Sequence, residues 1–272
     1  MIERITELAP YKSYIDSFKN DDMYSDPMLA TEEEMECNLF AAVTRPGRLV
    51  LGVFDGGEIT GLFTLLVIPE EKYMEMLTGL SRVSSAYDEL LRYLEENYPD
   101  YNADFVFNPK NDLLKDKLDV RGALFETEQQ RMVFTHRLPQ ADTRGVELLS
   151  PRYMDQYLTI HGTDMYWTGE KVAEATERFR TLLAVDDGNV VGYMDVTHCY
   201  KENEPYDLFV RPEYRRKGWG RKLLARALAM NEPKDMMLLV EIDNEPAIRL
   251  YEGMGFIKKE RQNSLTVHWK IA

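Results

Sequence analysis

Asp207-Leu-Phe-Val-Arg-Pro-Glu-Tyr-Arg-Arg-Lys-Gly-Trp-Gly-Arg-Lys-Leu-Leu224 reads as a short apolar strand, a basic glycine-bearing turn and the start of an amphipathic helix. Arg215, Gly218 and Gly220 set an R-x-x-G-x-G pattern at the turn. Residues 211–226 carry seven basic side chains and one acid, Glu213, in a protein whose net charge is −14. A strand feeding a glycine turn at a helix N-terminus is suited to hold an anion. Glycine lets the backbone approach closely, the first amides of the helix are unpaired, and the helix dipole favours negative charge. A phosphate-bearing ligand is the leading expectation. A P-loop would need Gly-Lys-Ser/Thr where Gly220 is followed by Arg221-Lys222-Leu223, and a dinucleotide fingerprint would need a small residue in place of Leu223.

Downstream, Met236–Ile242 is a mostly apolar run of buried-strand length. Asn244 and Pro246 then suit a helix start, Ala247, Leu250 and Tyr251 share one helical face, and Gly253 and Gly255 end the helix. Phe256–Glu260 and Leu265–Ile271 read as a closing strand pair. The R-x-x-G-x-G turn, followed by N-x-x-A-x-x-x-Y-x-x-x-G-F on Asn244, Ala247, Tyr251, Gly255 and Phe256, closely resembles the two signatures of the GCN5-related N-acetyltransferase (GNAT) family. The resemblance covers only the last half of the chain.

That resemblance implies an acetyl-CoA ligand. Its pyrophosphate would lie on the loop Arg215, Arg216, Lys217, Gly218, Trp219 and Gly220, with Asn244 and Tyr251 also at the cofactor. Leu208-Phe209-Val210 corresponds to the family's splayed fourth strand, where the amide of Phe209 or Val210 would polarise the thioester carbonyl. Tyr251 would be the general acid for the departing sulfur. Glu204, eleven residues before Arg215, matches the place where some members carry a catalytic glutamate. Asp207 on the same strand and Asp195 on the preceding one are rival bases, and Pro205 disturbs the strand beside Glu204. The plain alternatives are a packing role for Tyr251 and solvated edge charges for the three acids.

Composition is that of an ordinary globular protein, with 44% apolar and 29% charged residues in 272. The N-terminus lacks the layout of a signal peptide and no apolar run approaches transmembrane length, so a cytoplasmic location is expected. Cys37 and Cys199 form no redox or metal spacing, and with four scattered histidines no metal site is expected. The acidic balance argues against nucleic-acid or anionic-membrane partners and is compatible with a cationic amine.

The first half contains an internal echo. Val53-Phe-Asp-Gly-Gly-Glu-Ile-Thr-Gly-Leu62 aligns without a gap on Ala184-Val-Asp-Asp-Gly-Asn-Val-Val-Gly-Tyr193, and both read as hairpins. Further on, Asn111 falls on Asn244 and Gly122 on Gly255, while Leu118 falls on Tyr251. The segment Ser81–Tyr87, where the first half's phosphate loop would lie, has neither a glycine pair nor a basic cluster. The expected fold is therefore α/β (α+β), with two tandem GNAT-like domains, each a mixed, mostly antiparallel twisted sheet flanked by helices. Residues 1–140 would be a degenerate copy without a cofactor loop and 141–272 the catalytic one, joined by a turn-rich linker at 138–145.

Periodicity and capping then give the elements. Helices are expected at Thr31–Val43, with a Thr31/Glu34 capping box, and at Leu80–Asn97, Pro151–Tyr157, Glu170–Arg180 and Trp219–Met230. Strands are expected at Arg48–Phe54, Glu58–Ile68, Thr181–Val185, Val190–Val196 and Pro205–Val210. The expected activity is acetyl transfer from acetyl-CoA to a primary amine of a small molecule or peptide, at one site per chain. A non-catalytic acyl-CoA sensor is the other class.

Overall fold

The computed structural model describes residues 1–137, 141–163 and 166–272, so part of the expected linker, 138–140, lies outside the described residues. In chain order the elements are β1 (Ile2–Arg4), α1 (Lys12–Asp16), α2 (Glu32–Asn38), β2 (Arg48–Asp55), β3 (Glu58–Ile68), β4 (Tyr73–Ser81), α3 (Ser84–Asn97), β5 (Asn102–Phe107), α4 (Asp112–Asp119), β6 (Leu124–Phe125) and β7 (Gln129–Phe134). The second half holds β8 (Val146–Leu148), α5 (Met154–Ile160), α6 (Gly169–Glu174), β9 (Phe179–Asp186), β10 (Asn189–Thr197), β11 (Glu202–Asn203), β12 (Pro205–Val210), α7 (Trp219–Asn231), β13 (Asp235–Glu241), α8 (Glu245–Glu252), β14 (Phe256–Lys258) and β15 (Leu265–Lys270).

The chain forms two compact units, residues 1–130 with 260–272, and residues 131–259. This differs from a division at 140/141. In the first unit a seven-stranded sheet runs β1-β2-β3-β4-β5-β15-β6. In the second, one sheet runs β12-β10-β9-β8 and another β11-β13-β7-β14. The expected pairing of the last two strands is replaced by an exchange. β14 pairs with β7, while β15 pairs with β5 through Val267↔Phe105 and Trp269↔Ala103. Leu265, Val267 and Trp269 alternate inward on β15, so its apolar face belongs to the first unit's core. That core holds Phe63, Tyr87, Leu90, Leu94 and Phe105. In the second unit the α7 stripe Leu223, Leu224, Ala227 and Leu228 packs with Leu182, Met194, Met236 and Leu238, each buried leucine or methionine contributing about 1.5–3 kcal/mol.

Some expected boundaries move. The Thr31/Glu34 capping box forms in both directions, but α2 ends at Asn38 and a 3-10 turn covers Phe40–Val43. Leu80 and Ser81 belong to β4, and the helix starts at Ser84. The helix expected to reach Arg180 stops at Glu174, because Phe179 and Arg180 enter the β9–β10 ladder opposite Thr197 and Val196.

Two backbone details repeat between the units. Gly56-Gly57 and Asp187-Gly188 are the turn residues of the matching hairpins, all at positive φ, as a type I′ turn requires. The β2–β3 ladder passes from Val53↔Gly61 to Phe54↔Ile59, leaving Thr60 extra. The β9–β10 ladder passes from Gly192↔Ala184 to Val190↔Val185, leaving Val191 extra at the equivalent position. A second bulge recurs, at Leu77 between Thr64↔Thr78 and Leu65↔Met76, and at Tyr206 between Asp195↔Asp207 and Val196↔Pro205. Bulges re-aim side chains and are specific to register. Two coinciding bulges mark the halves as two copies of one fold.

Candidate active site

The second unit's two sheets meet and then part. β11 pairs in parallel with β13 at Glu202↔Asp235 and Asn203↔Met236. Pro205 follows, with no N–H to extend that ladder, and β12 then pairs only with β10. The Arg211 amide donates to the Val191 carbonyl at 2.9 Å. Because amides alternate along a strand, the Phe209 amide faces β10, while those of Leu208 and Val210 face the open side. Of the two amides expected at a thioester carbonyl, Val210 has the free direction.

The basic turn begins at the end of β12. Arg215 Nε donates to the Val210 carbonyl at 2.9 Å and Arg211 Nε to the Val190 carbonyl at 3.0 Å, so these two arginines brace the turn. Arg216 at φ 59° and Gly218 at φ 88° are both left-handed. The first amide bond into α7 is Lys222 N–H to the Gly218 carbonyl, at 3.0 Å. Among the described residues, the backbone amides from Arg216 to Arg221 donate to no backbone acceptor. Consecutive free amides over a helix N-terminus form an anion nest. A Cβ at Gly220 would have room, with Leu250 Cδ2 at 3.4 Å. Lys222 is committed to Asp142 at 3.2 Å and the Arg144 carbonyl, while Arg216 and Lys217 project into solvent. Trp219 is half-buried beneath the Lys222 ammonium.

Asn244 caps α8 by accepting from the Ala247 amide at 3.2 Å, so its Oδ1 already has a structural task. Tyr251 is buried on α8, with its ring 6.0 Å from that of Phe256. Its hydroxyl makes no hydrogen bond among the described residues. Burial, with the Asp207 and Glu204 charges, pushes its pKa up to about 12, so it stays protonated at neutral pH. Glu204 is clamped to β10 through its backbone. Its carbonyl accepts from the Thr197 amide at 2.8 Å and its amide donates to Thr197 Oγ1 at 2.7 Å.

Four residues at this site were missed by sequence reasoning: Tyr157, His161, Thr181 and Tyr193. They surround the two rival acids. Asp195 Oδ1 accepts from the Thr181 hydroxyl at 2.5 Å, and both Asp195 oxygens lie 3.1 Å from the Tyr157 hydroxyl. His161 Nε2 is 3.0 Å from Asp195 Oδ2 and 3.9 Å from Asp207 Oδ2. Tyr193 donates to Asp207 at 2.5 Å and stacks on His161 with centroids 4.9 Å apart. Burial pushes the Asp207 carboxyl up, reinforced by the Asp195 charge. For His161, burial works against the charged form, but the Asp195 bond, the Gly162 carbonyl and the Asp207 charge outweigh it and raise the pKa. The only sequence signal was a tyrosine and an aspartate at inward positions of an otherwise apolar strand.

The first unit keeps the splay, because β4 pairs with β5 only from Tyr73 to Met76 and then runs on to Ser81, but it lacks the amide nest and the tyrosine. Its β4 runs directly into α3 through Arg82 and Val83, and the Val83 amide is taken by Ser81 Oγ at 3.0 Å. The Gly79 amide, equivalent to that of Leu208, is held by the buried Asp26 at 2.6 Å. Leu118 is fully buried where Tyr251 stands in the second unit.

Residues 177–258 match the family model of the acetyltransferase (GNAT) domain. The second unit carries a GNAT domain. Solved GNAT structures share the wider architecture. A tandem GNAT protein from the clavulanic acid biosynthesis pathway is similar over 100% of this chain and 99% of its own, at TM-score 0.56 and 14% identity. A GNAT-family acetyltransferase from Colwellia psychrerythraea matches over 99% of both chains, at TM-score 0.54 and 12% identity. A GCN5-related N-acetyltransferase from Sphaerobacter thermophilus matches 83% of this chain and 81% of its own, at TM-score 0.57 and 13% identity. At such identities these likenesses speak to fold. No curated protein matches the sequence. The chain is thus a tandem GNAT-fold protein whose first copy has lost its glycine loop. Among the described residues no helix is long and apolar enough to cross a membrane.

Proposed function

We propose that this chain is an N-acetyltransferase that moves an acetyl group from acetyl-CoA to a primary amine of a small molecule or peptide, at one site, in the second unit. One observation carries the reading. The amide nest and the buried tyrosine hydroxyl occur together beside a splayed strand in one copy; the other keeps the splay but has neither, and its Gly79 amide is taken by Asp26. A fold that needed the nest and the tyrosine for stability would have kept them twice.

Acetyl-CoA fits the free donors. The amides of residues 216–221, that of Gly220 among them, would receive the pyrophosphate, with Arg216, Lys217 and Trp219 at its rim and Gly218 admitting it closely. The bound thioester supplies the acetyl group. The Val210 amide on the open edge would donate to the carbonyl oxygen as negative charge develops there, and Phe209 would support the strand from the β10 side. Tyr251 holds a proton that burial keeps in place, and it would give that proton to the departing sulfur. Asn244 positions α8 and hence Tyr251. Glu204 and Asp207 are the acids whose charge reaches the Tyr251 hydroxyl, and one of them receives the proton leaving the amine. The acidic protein favours a cationic acceptor.

Thiol release from acetyl-CoA across a panel of amines tests the reading. Turnover on any primary amine, abolished in Gly218→Glu, is the expected result. Tight acetyl-CoA binding without turnover on any amine would favour a non-catalytic sensor instead.

A further inference from the structure

We propose that His161, Asp195 and Asp207 form a buried proton relay, in which Asp207 takes the proton from the acceptor's ammonium while the His161–Asp195 ion pair behind it holds the compensating charge. This rests on the acetyl-transfer reading above, and it makes Asp207 rather than Glu204 the base. Asp207 is then a catalytic residue, and His161 and Asp195 are positioning residues.

Donor and acceptor matching sets the charges. His161 Nδ1 lies 2.8 Å from the Gly162 carbonyl, which can only accept, so Nδ1 carries a hydrogen. Among the described residues, Nε2 faces only carboxylate oxygens, of Asp195 and Asp207. A proton therefore stands between the ring and Asp195. Asp195 already receives the Thr181 and Tyr157 hydroxyls, which suits it as the ionised partner and leaves the ring an imidazolium. Asp207 has one hydroxyl donor, from Tyr193. Its side chain is 21% exposed, against 1% for His161 and 0% for Asp195, so it is the member of the trio with a route outward.

One positive and two negative charges leave the trio with an excess negative charge. A proton arriving on Asp207 neutralises it, and a buried cluster favours neutrality. Among the described residues, the other groups facing the trio are Glu170 on α6, whose charge interacts with His161, and Glu204 and Tyr251 near Asp207. Tyr157 and Tyr193 are held protonated by burial and by the acids they touch.

The first unit shows that the fold does not require these charges. Through the coinciding bulges, Thr64 and Thr78 take the places of Asp195 and Asp207, with Val50 and Leu62 in the places of Thr181 and Tyr193. The same sheet stands there with no ionisable group at those four positions. Buried charge is costly, and at these four positions it is kept only in the copy that has the amide nest and Tyr251. In the proposed step an ammonium N–H bond breaks and an O–H bond forms on Asp207, freeing the nitrogen lone pair. That pair forms the N–C bond as the C–S pair leaves on sulfur. Tyr251 protonates the sulfur and recovers its proton from the nitrogen's second N–H.

Two experiments test the relay. In ¹⁵N-histidine NMR, with His161→Gln to assign the signal, both ring nitrogens of His161 should be protonated at pH 7, and Asp195→Asn should lower the midpoint of that titration. A neutral His161 ring at pH 7 would overturn the relay, and this readout needs no turnover, so it separates from failure of the acetyl-transfer reading. In kinetics with the fastest of spermidine, glucosamine and a lysine peptide, Asp207→Asn should lower kcat/KM about 100-fold with coenzyme A affinity unchanged. Removing the cation in His161→Gln should move the acidic limb of kcat/KM to higher pH, and removing an anion in Asp195→Asn should move it lower. A limb that stays put in both variants would overturn the proposal. So would activity lost to a chelator and restored by zinc, because a metal would then hold the place assigned to the proton.

Discussion

Replacing Tyr251 with phenylalanine separates chemistry from packing. The Tyr251 ring meets Phe256 edge-on, and its hydroxyl bonds to no described residue, so Tyr251→Phe keeps the ring contacts and strands no partner. The stability change should stay within about 0.5 kcal/mol, or roughly 1–2 °C in Tm. Its effect on rate should be much larger. General acid catalysis contributes about 10²–10⁴-fold, and a thiol with an ordinary pKa near 8.5 leaves moderately well unaided, so the lower end applies. A loss of about 100-fold in kcat, or about 2.7 kcal/mol, is expected at saturating acetyl-CoA. Burial, together with Asp207 and Glu204, pushes the hydroxyl up to about 12. An acid must be protonated to act, so wild-type kcat should show no descending limb from this group below about pH 10. The assay is chromogenic detection of released thiol, with calorimetry to confirm unchanged acetyl-CoA affinity. A kcat within threefold of wild type would refute the assignment.

Glycines 218 and 220 should respond in opposite ways. Gly218 sits at φ 88°, so Gly218→Ala should cost about 1–2 kcal/mol and weaken acetyl-CoA binding, whereas Gly220→Ala, in the first turn of α7 with room for a Cβ, should leave the melting temperature and the affinity unchanged or raised. Equal losses in thermal melts and titrations of both variants would contradict the nest geometry. Burial pushes the Asp26 carboxyl up to about 7, against the Gly79 and Met28 amides. A raised carboxyl favours the folded state most below its unfolded pKa of about 4, and this contribution is lost as pH rises through 7. The stability of Asp26→Asn relative to wild type should therefore rise between pH 4 and pH 8 in thermal melts, and a difference independent of pH would sink this account. The fragment 1–140 lacks β15, leaving the β5 edge and the core face of Phe105 uncovered. It should aggregate or remain unfolded by circular dichroism, and a cooperative melt matching the full chain's would contradict the strand exchange.

The candidate site was legible where the local backbone pattern is set within a few residues. The R-x-x-G-x-G turn needs left-handed residues and free amides within a few positions, and the α8 signature needs a cap, a helical face and a terminating glycine. The hairpin echo was legible because a type I′ turn leaves its mark in Asp-Gly pairs. The strand exchange was not, because the alternating apolar residues of β15 suit either sheet equally well. The helix expected over Leu80–Asn97 swallowed the end of β4, since Leu80 fits the inward face of either element. His161 was invisible for a related reason. It lies 34 residues from Asp195, and the packing of the end of α5 against β10 brings them together. A lone histidine after a short helix carries no local pattern.

The central claim is that one copy of a duplicated fold kept the cofactor site. Calorimetric titration with acetyl-CoA tests it most directly. The account predicts one site per chain, abolished in Gly218→Glu and unchanged in Ser85→Glu, which places the same charge at the start of α3 in the first unit. Two sites per chain, no site, or binding that survives Gly218→Glu would contradict it.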